Sequence, residues 1–285
     1  MIGNDMFNLE GKTAVVTGGG GVLCRTMARE LAARGASVAI LDLRVDAAQS
    51  VADEISKSGG RAIGVACNVL DKSSIEDACK KVLAEFGKID ILVNGAGGNN
   101  PKATTSCETC RVEDLTSHVE GLKTFFDLDP DGVNFVFSLN FIGTLLPSQV
   151  FGKVMAENGG GAVLNISSMN AFRPLTKIPA YSAAKAAISN FTQWLATHFA
   201  PVNIRVNAIA PGFFLTDQNQ FLLTDEKTGE LTERGKTILS HTPMGRFGTP
   251  EDLSGTLVWL LSDAAQFVTG IVVPVDGGFS AFSGV

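Results

Sequence analysis

The chain has little of several features that would place it in other protein classes. Lys and Arg total 23 against 29 Asp and Glu, a formal net charge of −6, and the basic residues are scattered rather than clustered. This absence argues against nucleic acid or an anionic membrane surface as the main partner. No apolar run approaches the roughly eighteen residues of a membrane span, and the first residues lack a basic segment followed by an apolar one. We therefore expect a cytoplasmic protein that acts on a small molecule.

Cysteine is also infrequent, and its number is odd: Cys24, Cys67, Cys79, Cys107 and Cys110. Most of these residues fall inside predicted helices and strands, as free thiols do in a reducing compartment, so we expect no structural disulfide. Cys107-x-x-Cys110 has zinc-ligand spacing, with His118 as a candidate third ligand. A single pair without a second one is a weak metal signal, and we expect no metal.

What is present is an alternation of short apolar runs with longer amphipathic ones. Seven runs have the length and composition of buried strands: 12–17, 37–42, 61–68, 89–94, 162–167, 203–209 and 271–275. Helical patterns separate them, including a long one over 131–158 that we expect to bend near Pro147. Because right-handed crossovers put helices on both faces, we predict one α/β domain with a seven-stranded, parallel, doubly wound sheet. Ligands bind such sheets beyond the carboxyl ends of the strands.

A run of glycines follows the first predicted strand. Thr17 precedes four glycines, at 18–21, and a helix opens directly afterwards. Such a turn lets the backbone approach a pyrophosphate, although a glycine run alone is also typical of a tight turn. Asp42 ends the second strand at a suitable distance and is expected to bind both hydroxyls of an adenosine ribose, which favours NAD over NADP. Arg44 is interpreted as a solvated loop charge.

The only tyrosine, Tyr181, lies at the start of a predicted alanine-rich helix, with Lys185 four residues later on the same face. A tyrosine hydroxyl normally has a pKa of about 10, and an adjacent positive charge lowers that value. Ser168 follows the fifth predicted strand, where a hydroxyl reaches a cleft. Taken alone, the Tyr181–Lys185 pair is also typical of an exposed helix surface.

Several motifs occur together in one order: Thr17-Gly18, Asp42, Asn68-Val69, Asn94-Gly95-Ala96-Gly97, Asn140, Ser168, Tyr181-x-x-x-Lys185 and Pro211-Gly212. In this order, and with Ser168 thirteen residues before Tyr181, the chain from about Leu9 onward resembles the short-chain dehydrogenases/reductases. The resemblance implies one NAD(P)-binding Rossmann domain over 1–285, hydride transfer with NAD and without a metal, and a homotetramer. It favours a proton-transfer site over a surface pair at Tyr181.

The resemblance also implies roles for single residues. Tyr181 is expected to donate or remove the proton, and Ser168 to polarise the carbonyl oxygen. Lys185 is expected to lower the pKa of Tyr181 and bind the nicotinamide ribose, and Asn140 to hold a water that links Lys185 to solvent. The expected cofactor contacts, besides Tyr181 and Lys185, are Thr17, Gly18, Gly20, Gly21, Val22, Leu23, Asp42, Asn68, Val69, Asn94, Gly95, Ala96, Gly97, Pro211, Gly212, Phe214 and Thr216.

The nucleotide turn departs from the family pattern Thr-Gly-x-x-x-Gly-x-Gly, because Val22 and Cys24 stand where the second and third glycines are expected. We expect Gly21 to take over the flexible position and Cys24 to be small enough for close helix packing. Asn68 stands where many relatives carry aspartate, and we expect it to bind an adenine edge.

Two long connections are candidates for substrate binding. We interpret about 98–130 as an insertion over the mouth of the pocket, and about 213–247 as a lid. The candidate substrate contacts are Asn99, Asn100, Asn170 and Arg173, with Lys102, Gln218, Asn219 and Gln220 as further polar residues. Because Arg173 suits a carboxylate and the other side chains suit hydroxyls, a sugar acid is favoured over a fatty acyl chain or a steroid.

The insertion and the stretch 125–129 also resemble the family branch described as D-mannonate oxidoreductases, which interconvert fructuronate and mannonate. Two alternatives stay open. One is a gluconate 5-dehydrogenase or 3-oxoacyl reductase of the same family, and the other is a non-catalytic NAD-binding redox sensor. The intact Tyr181–Lys185 motif argues against the sensor, whereas Val22 and Cys24 are the features in its favour.

Overall fold

The structure is a computed structural model, and it describes residues 6–116, 119–216, 223–225 and 228–284. The strands are β1 Thr13–Thr17, β2 Ser37–Asp42, β3 Arg61–Ala66, β4 Ile91–Asn94, β5 Gly161–Ile166, β6 Ile204–Pro211 and β7 Val272–Val275. The helices are α1 Val22–Ala33, α2 Val45–Lys57, α3 Lys72–Phe86, α4 Pro130–Phe137, α5 Gly143–Glu157, α6 Pro179–Phe199, α7 Glu233–Ser240 and α8 Ser254–Leu261.

The strands form one parallel sheet in the order β3-β2-β1-β4-β5-β6-β7, which confirms the predicted doubly wound architecture. The strand order reverses between β1 and β4, where Val16 lies beside Ile40 on one side and Val93 on the other. All five residues of β1 are buried, as expected of a strand covered on both faces. The crevice for a ligand is therefore expected beyond Thr17 and Asn94, at the ends of β1 and β4.

Each face of the sheet carries its own apolar core. On one face α1, α2 and α8 pack through residues such as Met27, Val51 and Leu257. On the other face α3, α5 and α6 pack through residues such as Phe151 and Leu195. Since both layers are closed, the strand ends are the places where polar side chains collect.

The long helix predicted over 131–158 is divided in the structure. α4 and α5 are joined by a π turn over Ser138–Ile142, and Pro147 lies inside α5. The main irregularity is therefore around Asn140, about two turns before the predicted bend, and π turns are frequent at functional sites. By length and composition the stretch 130–157 would suffice to cross a membrane, but half of its apolar window is buried inside the protein, as in a core helix.

The predicted insertion contains short 3₁₀ turns rather than longer helices, at Pro101–Ala103, Val112–Leu115 and Phe125–Asp127. It is tied to the loop before α6, because the Thr105 N–H donates to the Lys177 carbonyl over 2.8 Å. His118, Gln218, Asn219 and Gln220 lie outside the described residues. All five cysteines are free thiols, and no cluster of metal-ligating side chains occurs within the described ranges.

Candidate active site

A cavity of about 460 Å³ lies beyond the carboxyl ends of β1 and β4. Its lining includes ten of the residues predicted to contact a cofactor: Gly18, Gly21, Val22, Leu23, Asp42, Asn68, Val69, Gly95, Ala96 and Gly97. Phe135 and Leu139 also line it and were missed from the sequence, although their spacing of four places them on one helical face. Arg44 also lines the cavity, and it is exposed, as expected of a solvated loop charge.

The glycine turn is shaped by Gly18. This residue has a φ of +62°, in the left-handed region that favours glycine. A Cβ on it would lie 2.8 Å from the Ala96 Cα. Gly21, in contrast, is extended at φ −77° and precedes α1, so the prediction that it takes over the flexible position is wrong. The turn bends at its first glycine instead.

Cys24 replaces a family glycine at the point where α1 packs against the loop after β4. Its side chain is buried, and a Cβ on Gly95 would overlap its Sγ. Burial raises the pKa of the Cys24 thiol to about 12, so it stays protonated near neutrality. Cys24 therefore acts as a small apolar residue in the wall of the cavity, and its Sγ fills the space that a side chain on Gly95 would need.

Thr17 and Asn94 support the cavity from behind rather than lining it. The Thr17 hydroxyl accepts hydrogen bonds from the Gly95 N–H at 3.1 Å and the Ala96 N–H at 3.3 Å. The Asn94 amide donates to Ser148 at 3.0 Å and to Asn165 at 2.9 Å, within the core. The Asn94 amide is therefore used between β4, α5 and β5, as buried polar groups must be satisfied, and the cofactor contact of Asn94 stays a prediction.

The end of β6 and the segment after it contain the last predicted cofactor contacts of the chain. Gly212 donates its N–H to the Val275 carbonyl at 2.9 Å, which holds the backbone beside β7. Phe214 is buried in the core and packs on Gly248, where a Cβ would lie 2.7 Å from its ring. Phe214 does not line the cofactor cavity, and its contact with the cofactor stays a prediction. Pro211 ends β6, and Thr216 precedes the gap 217–222.

Ser168, Tyr181 and Lys185 come together just beyond β5. Ser168 is extended and buried, and its Oγ accepts from the Asn170 N–H at 3.2 Å. Tyr181 lies in the first turn of α6, where it packs beside Val133 and forms a hydrogen bond with Ser168. The Lys185 Nζ lies 5.6 Å from the Tyr181 ring centre. The chain folds this way because α6 starts with Pro179, which suits the first helical position.

Lys185 is held by the end of β5. Its Nζ donates to the Ile166 carbonyl at 2.8 Å, and a Cβ on Gly97 would lie 3.2 Å from the same atom. Burial lowers the pKa of Lys185 to about 8. The side chain is therefore an ammonium at neutral pH, but one that loses its proton more readily than an exposed lysine.

The pKa of Tyr181 is raised rather than lowered in this structure. Burial disfavours the phenolate and outweighs the hydrogen bond with Ser168, which acts in the opposite direction. The prediction that Lys185 depresses this pKa is therefore wrong for the protein without its cofactor. The ammonium donates to the Ile166 carbonyl and lies 5.6 Å from the centre of the Tyr181 ring.

Asn140 connects the π turn to the loop after β4. Its Nδ2 donates to the Gly98 carbonyl at 2.7 Å and to the Val136 carbonyl at 2.8 Å, and its Oδ1 accepts from the Gly98 N–H at 3.2 Å. The Asn140 carbonyl accepts from the Thr144 hydroxyl at 2.8 Å. Asn140 thus positions the backbone that lies beside Lys185, and its role in holding a water stays a prediction.

Of the four predicted substrate contacts, Asn170 is placed best, because its Oδ1 is buried and has no hydrogen-bond partner among the described residues. Asn99 donates to Thr104 at 3.0 Å, and Asn100 accepts from the Lys102 N–H at 2.9 Å, so both serve the insertion itself. Arg173 donates from Nε to the Ser280 carbonyl at 3.1 Å. Each of these three side chains thus has a partner within the protein, and their contacts with substrate stay predictions.

Comparisons with known proteins agree with this geometry. A family model described as enoyl-(acyl carrier protein) reductase matches residues 22–280. An uncharacterized oxidoreductase of Haemophilus influenzae is 55% identical over 279 residues, which are 98% of this chain and 96% of that protein. A solved Haemophilus structure with bound NAD, provisionally described as a D-mannonate oxidoreductase, has a TM-score of 0.93 at 54% identity and covers 99% of this chain and 100% of that one.

More distant relatives are named for unlike substrates. A 7alpha-hydroxysteroid dehydrogenase of Escherichia coli is 33% identical, over 98% of each chain. A 2-dehydro-3-deoxy-D-gluconate 5-dehydrogenase of Dickeya dadantii is 35% identical, over 96% of this chain and 98% of that protein. Because the family model and these relatives span nearly the whole chain, the protein belongs to the short-chain dehydrogenase/reductase family and is an NAD(P)-dependent oxidoreductase.

Proposed function

We propose that this protein transfers a hydride between NAD and the carbonyl carbon of a sugar acid, with D-fructuronate and D-mannonate as the substrate pair. The observation that carries the proposal is the convergence of Ser168, Tyr181 and Lys185 beyond β5, next to a cavity whose lining includes Asp42. The Haemophilus protein with bound NAD supports both the cofactor and the substrate.

The residues of the cavity fit NAD. Gly18, Gly95 and Gly97 leave the backbone bare where each added Cβ would meet protein atoms, so no side chain of these residues keeps a dinucleotide away from the backbone. The Asp42 carboxylate suits the two hydroxyls of an adenosine ribose and repels a 2′-phosphate. Bound NAD would supply the hydride acceptor or donor, and the other chemistry belongs to the chain itself.

Tyr181 and Ser168 serve the carbonyl oxygen. In the reducing direction negative charge develops on that oxygen, and Tyr181 donates its hydroxyl proton to it while Ser168 donates a hydrogen bond. The raised pKa of Tyr181 keeps the proton in place until the substrate needs it. In the oxidising direction Tyr181 must accept the proton, and this requires a positive charge nearby to favour the phenolate.

Lys185 and Asn140 prepare the site for that proton transfer. The Lys185 ammonium is anchored on Ile166 and lies beside Gly97, where its remaining protons are available to a ribose hydroxyl. Asn140 holds Gly98 through a hydrogen bond. It lies in the π turn, where the regular hydrogen-bond pattern of an α-helix is interrupted. A water held at this turn would connect Lys185 to solvent.

Steady-state assays test the function directly. NADH absorbance is followed with D-fructuronate, 5-ketogluconate and an acetoacetyl thioester, with a 7-oxo bile acid as a fourth substrate. The proposal predicts the highest kcat/KM with fructuronate. A preference for 5-ketogluconate would support the gluconate dehydrogenase alternative, whereas NADH binding without turnover of any carbonyl would support the sensor.

We further propose that the protein is a cytoplasmic homotetramer. Phe191, Trp194 and His198 form a stacked row on α6, with ring centres 6.2 and 4.7 Å apart, and Trp194 is 57% exposed. Exposed aromatic rows of this kind mark interfaces more often than solvated surface. Light scattering after size exclusion is expected to give four chains, and Trp194→Glu is expected to reduce that number.

A further inference from the structure

A second cavity, of about 550 Å³, lies beside the proposed reaction site. Its walls come from the insertion, the loop before α6, the segment after β6, helix α7 and the C-terminal turn. Lys177 lines it and lies four residues before Tyr181, and Phe213 lines it two residues after β6 ends. The cavity is thus at the carboxyl ends of the strands, on the side where Tyr181 and Ser168 meet the substrate.

Two positively charged side chains of this cavity have no carboxylate partner. Lys177 and Arg234 line it, and neither forms an ion pair with a described carboxylate. The lining also contains two acidic residues, Glu108 and Glu233, and Glu233 is paired with Lys236 at 2.8 Å. The formal charges of the lining therefore balance, but Lys177 and Arg234 are available to bind a negatively charged group of a ligand.

Lys177 is also held in an unfavourable backbone conformation. Its φ is +71°, and Asn203, which tolerates such angles, is the other non-glycine residue with positive φ in the described part of the chain. The Thr105 N–H of the insertion fixes the Lys177 carbonyl at 2.8 Å. Strain of this kind is retained mainly where it directs a side chain to a ligand. The insertion therefore serves to place Lys177 in the cavity wall.

The rest of the wall suits a polyhydroxylated molecule. The His241 Nδ1 donates to the Thr237 carbonyl at 2.8 Å, which leaves Nε2 for a hydrogen bond with a hydroxyl. Phe213 and Phe279 form an edge-to-face pair with ring centres 5.3 Å apart. Together they offer an apolar surface for the carbon–hydrogen face of a sugar chain.

We propose that this cavity is the subsite for the end of the substrate remote from the reacting carbonyl, and that Arg234 and Lys177 bind its carboxylate. This inference rests on the proposed function and assigns the sugar-acid specificity to particular residues. Arg234 supplies a planar fork that matches a carboxylate, and Lys177 supplies a second charge.

Arg234→Met, Arg234→Lys and Lys177→Met test the subsite, with Lys57→Met as a matched control that removes a positive charge from α2. KM and kcat are measured with fructuronate and with the neutral ketose D-fructose. Loss of a charged hydrogen bond corresponds to about a tenfold to hundredfold increase in KM. Arg234→Met is expected to show this increase for fructuronate alone, with Arg234→Lys intermediate and Lys57→Met unchanged.

A binding measurement separates this inference from the proposed function. Calorimetric titration of the NAD complex with D-gluconate and with neutral D-glucitol is expected to show acid binding that depends on Arg234 and Lys177. If fructuronate is not reduced but gluconate binding depends on both residues, the subsite stands and the proposed substrate falls. If fructuronate is reduced with the same KM in Arg234→Met, or if the acid and the neutral ligand weaken equally, the subsite is overturned.

Discussion

The Gly20 N–H donates a hydrogen bond to the Asp42 Oδ2 at 3.1 Å, while the Arg44 N–H donates to the Asp42 Oδ1 at 3.0 Å. Both oxygens of the carboxylate are thereby fixed by backbone amides on opposite sides. Such bonds hold the Asp42 carboxylate in one orientation. Gly20 contributes its amide and also the space for the carboxylate, because a Cβ on this residue would lie 2.9 Å from the Asp42 Oδ2.

Gly20→Ala is expected to weaken NAD binding. The added methyl group must displace Asp42 or Ala47, and such overpacking costs about 1–3 kcal/mol, which corresponds to an increase of about fivefold to hundredfold in KM for NAD. Gly255→Ala is the matched control, since a Cβ there meets nothing within 4 Å. Cofactor titrations of both variants check this expectation, and an unchanged KM in Gly20→Ala would show that Asp42 need not be held by this turn.

Tyr181→Phe is expected to reduce turnover by about 10²–10⁴-fold, since that is the usual contribution of a positioned acid or base. The affinity for NADH should remain nearly intact, because the phenyl ring of the new residue still packs beside Val133. Stopped-flow turnover and NADH fluorescence titration give the two quantities separately. An equal loss of both would mean that Tyr181 is structural.

Lys185 should give the protein without cofactor a distinct pH dependence of stability. Burial lowers its pKa to about 8, whereas an unfolded lysine titrates near about 10.4. Between these values the unfolded chain binds the proton and the folded protein does not, so the free energy of unfolding rises with pH, by up to about 3 kcal/mol in total.

Urea unfolding at pH 8.0 and pH 9.5 measures this effect as the difference between the natural protein and Lys185→Met. The comparison removes the opposing contributions of the buried thiols, whose raised pKa values in the folded protein make stability fall with pH. The same pH dependence in both proteins would contradict the assigned ionisation of Lys185.

Cys24 and Gly95 should show coupled effects. Cys24→Ala is expected to retain NAD binding, because the protonated thiol serves as packing, whereas Gly95→Ala should weaken it strongly through overlap with Sγ. The double variant should recover only part of the affinity, since the new Cβ still lies 2.8 Å from the Thr17 carbonyl oxygen. A double-mutant cycle in NADH affinity checks this coupling, and simple additivity would exclude the contact.

Iodoacetamide labelling gives an independent check on Cys24. Its burial and raised pKa should protect it in the folded protein, while the exposed Cys110 reacts first. Mass mapping after brief labelling at pH 8 identifies the modified residues. Early modification of Cys24 would mean that the wall opens readily, in contrast to its packed position.

The candidate site shows which features are local and which are not. The Tyr181–Lys185 pair was predictable because helical spacing alone places residues four apart on one face. Asn94 was predicted from the same kind of motif, yet its amide is used by Ser148 and Asn165, whose positions depend on how α5 and β5 pack. A sequence motif identifies a candidate residue, but the partners of its polar groups come from distant parts of the chain.

The sequence by itself determined the alternation of apolar strands and amphipathic helices, and with it the parallel sheet and the edge at which residues collect, because these depend on local periodicity and right-handed connections. Only the tertiary structure decided the ionisation of Lys185 and Tyr181, since burial depends on every element packed around them. It alone also placed Arg234 and Lys177, more than fifty residues apart, in one cavity wall.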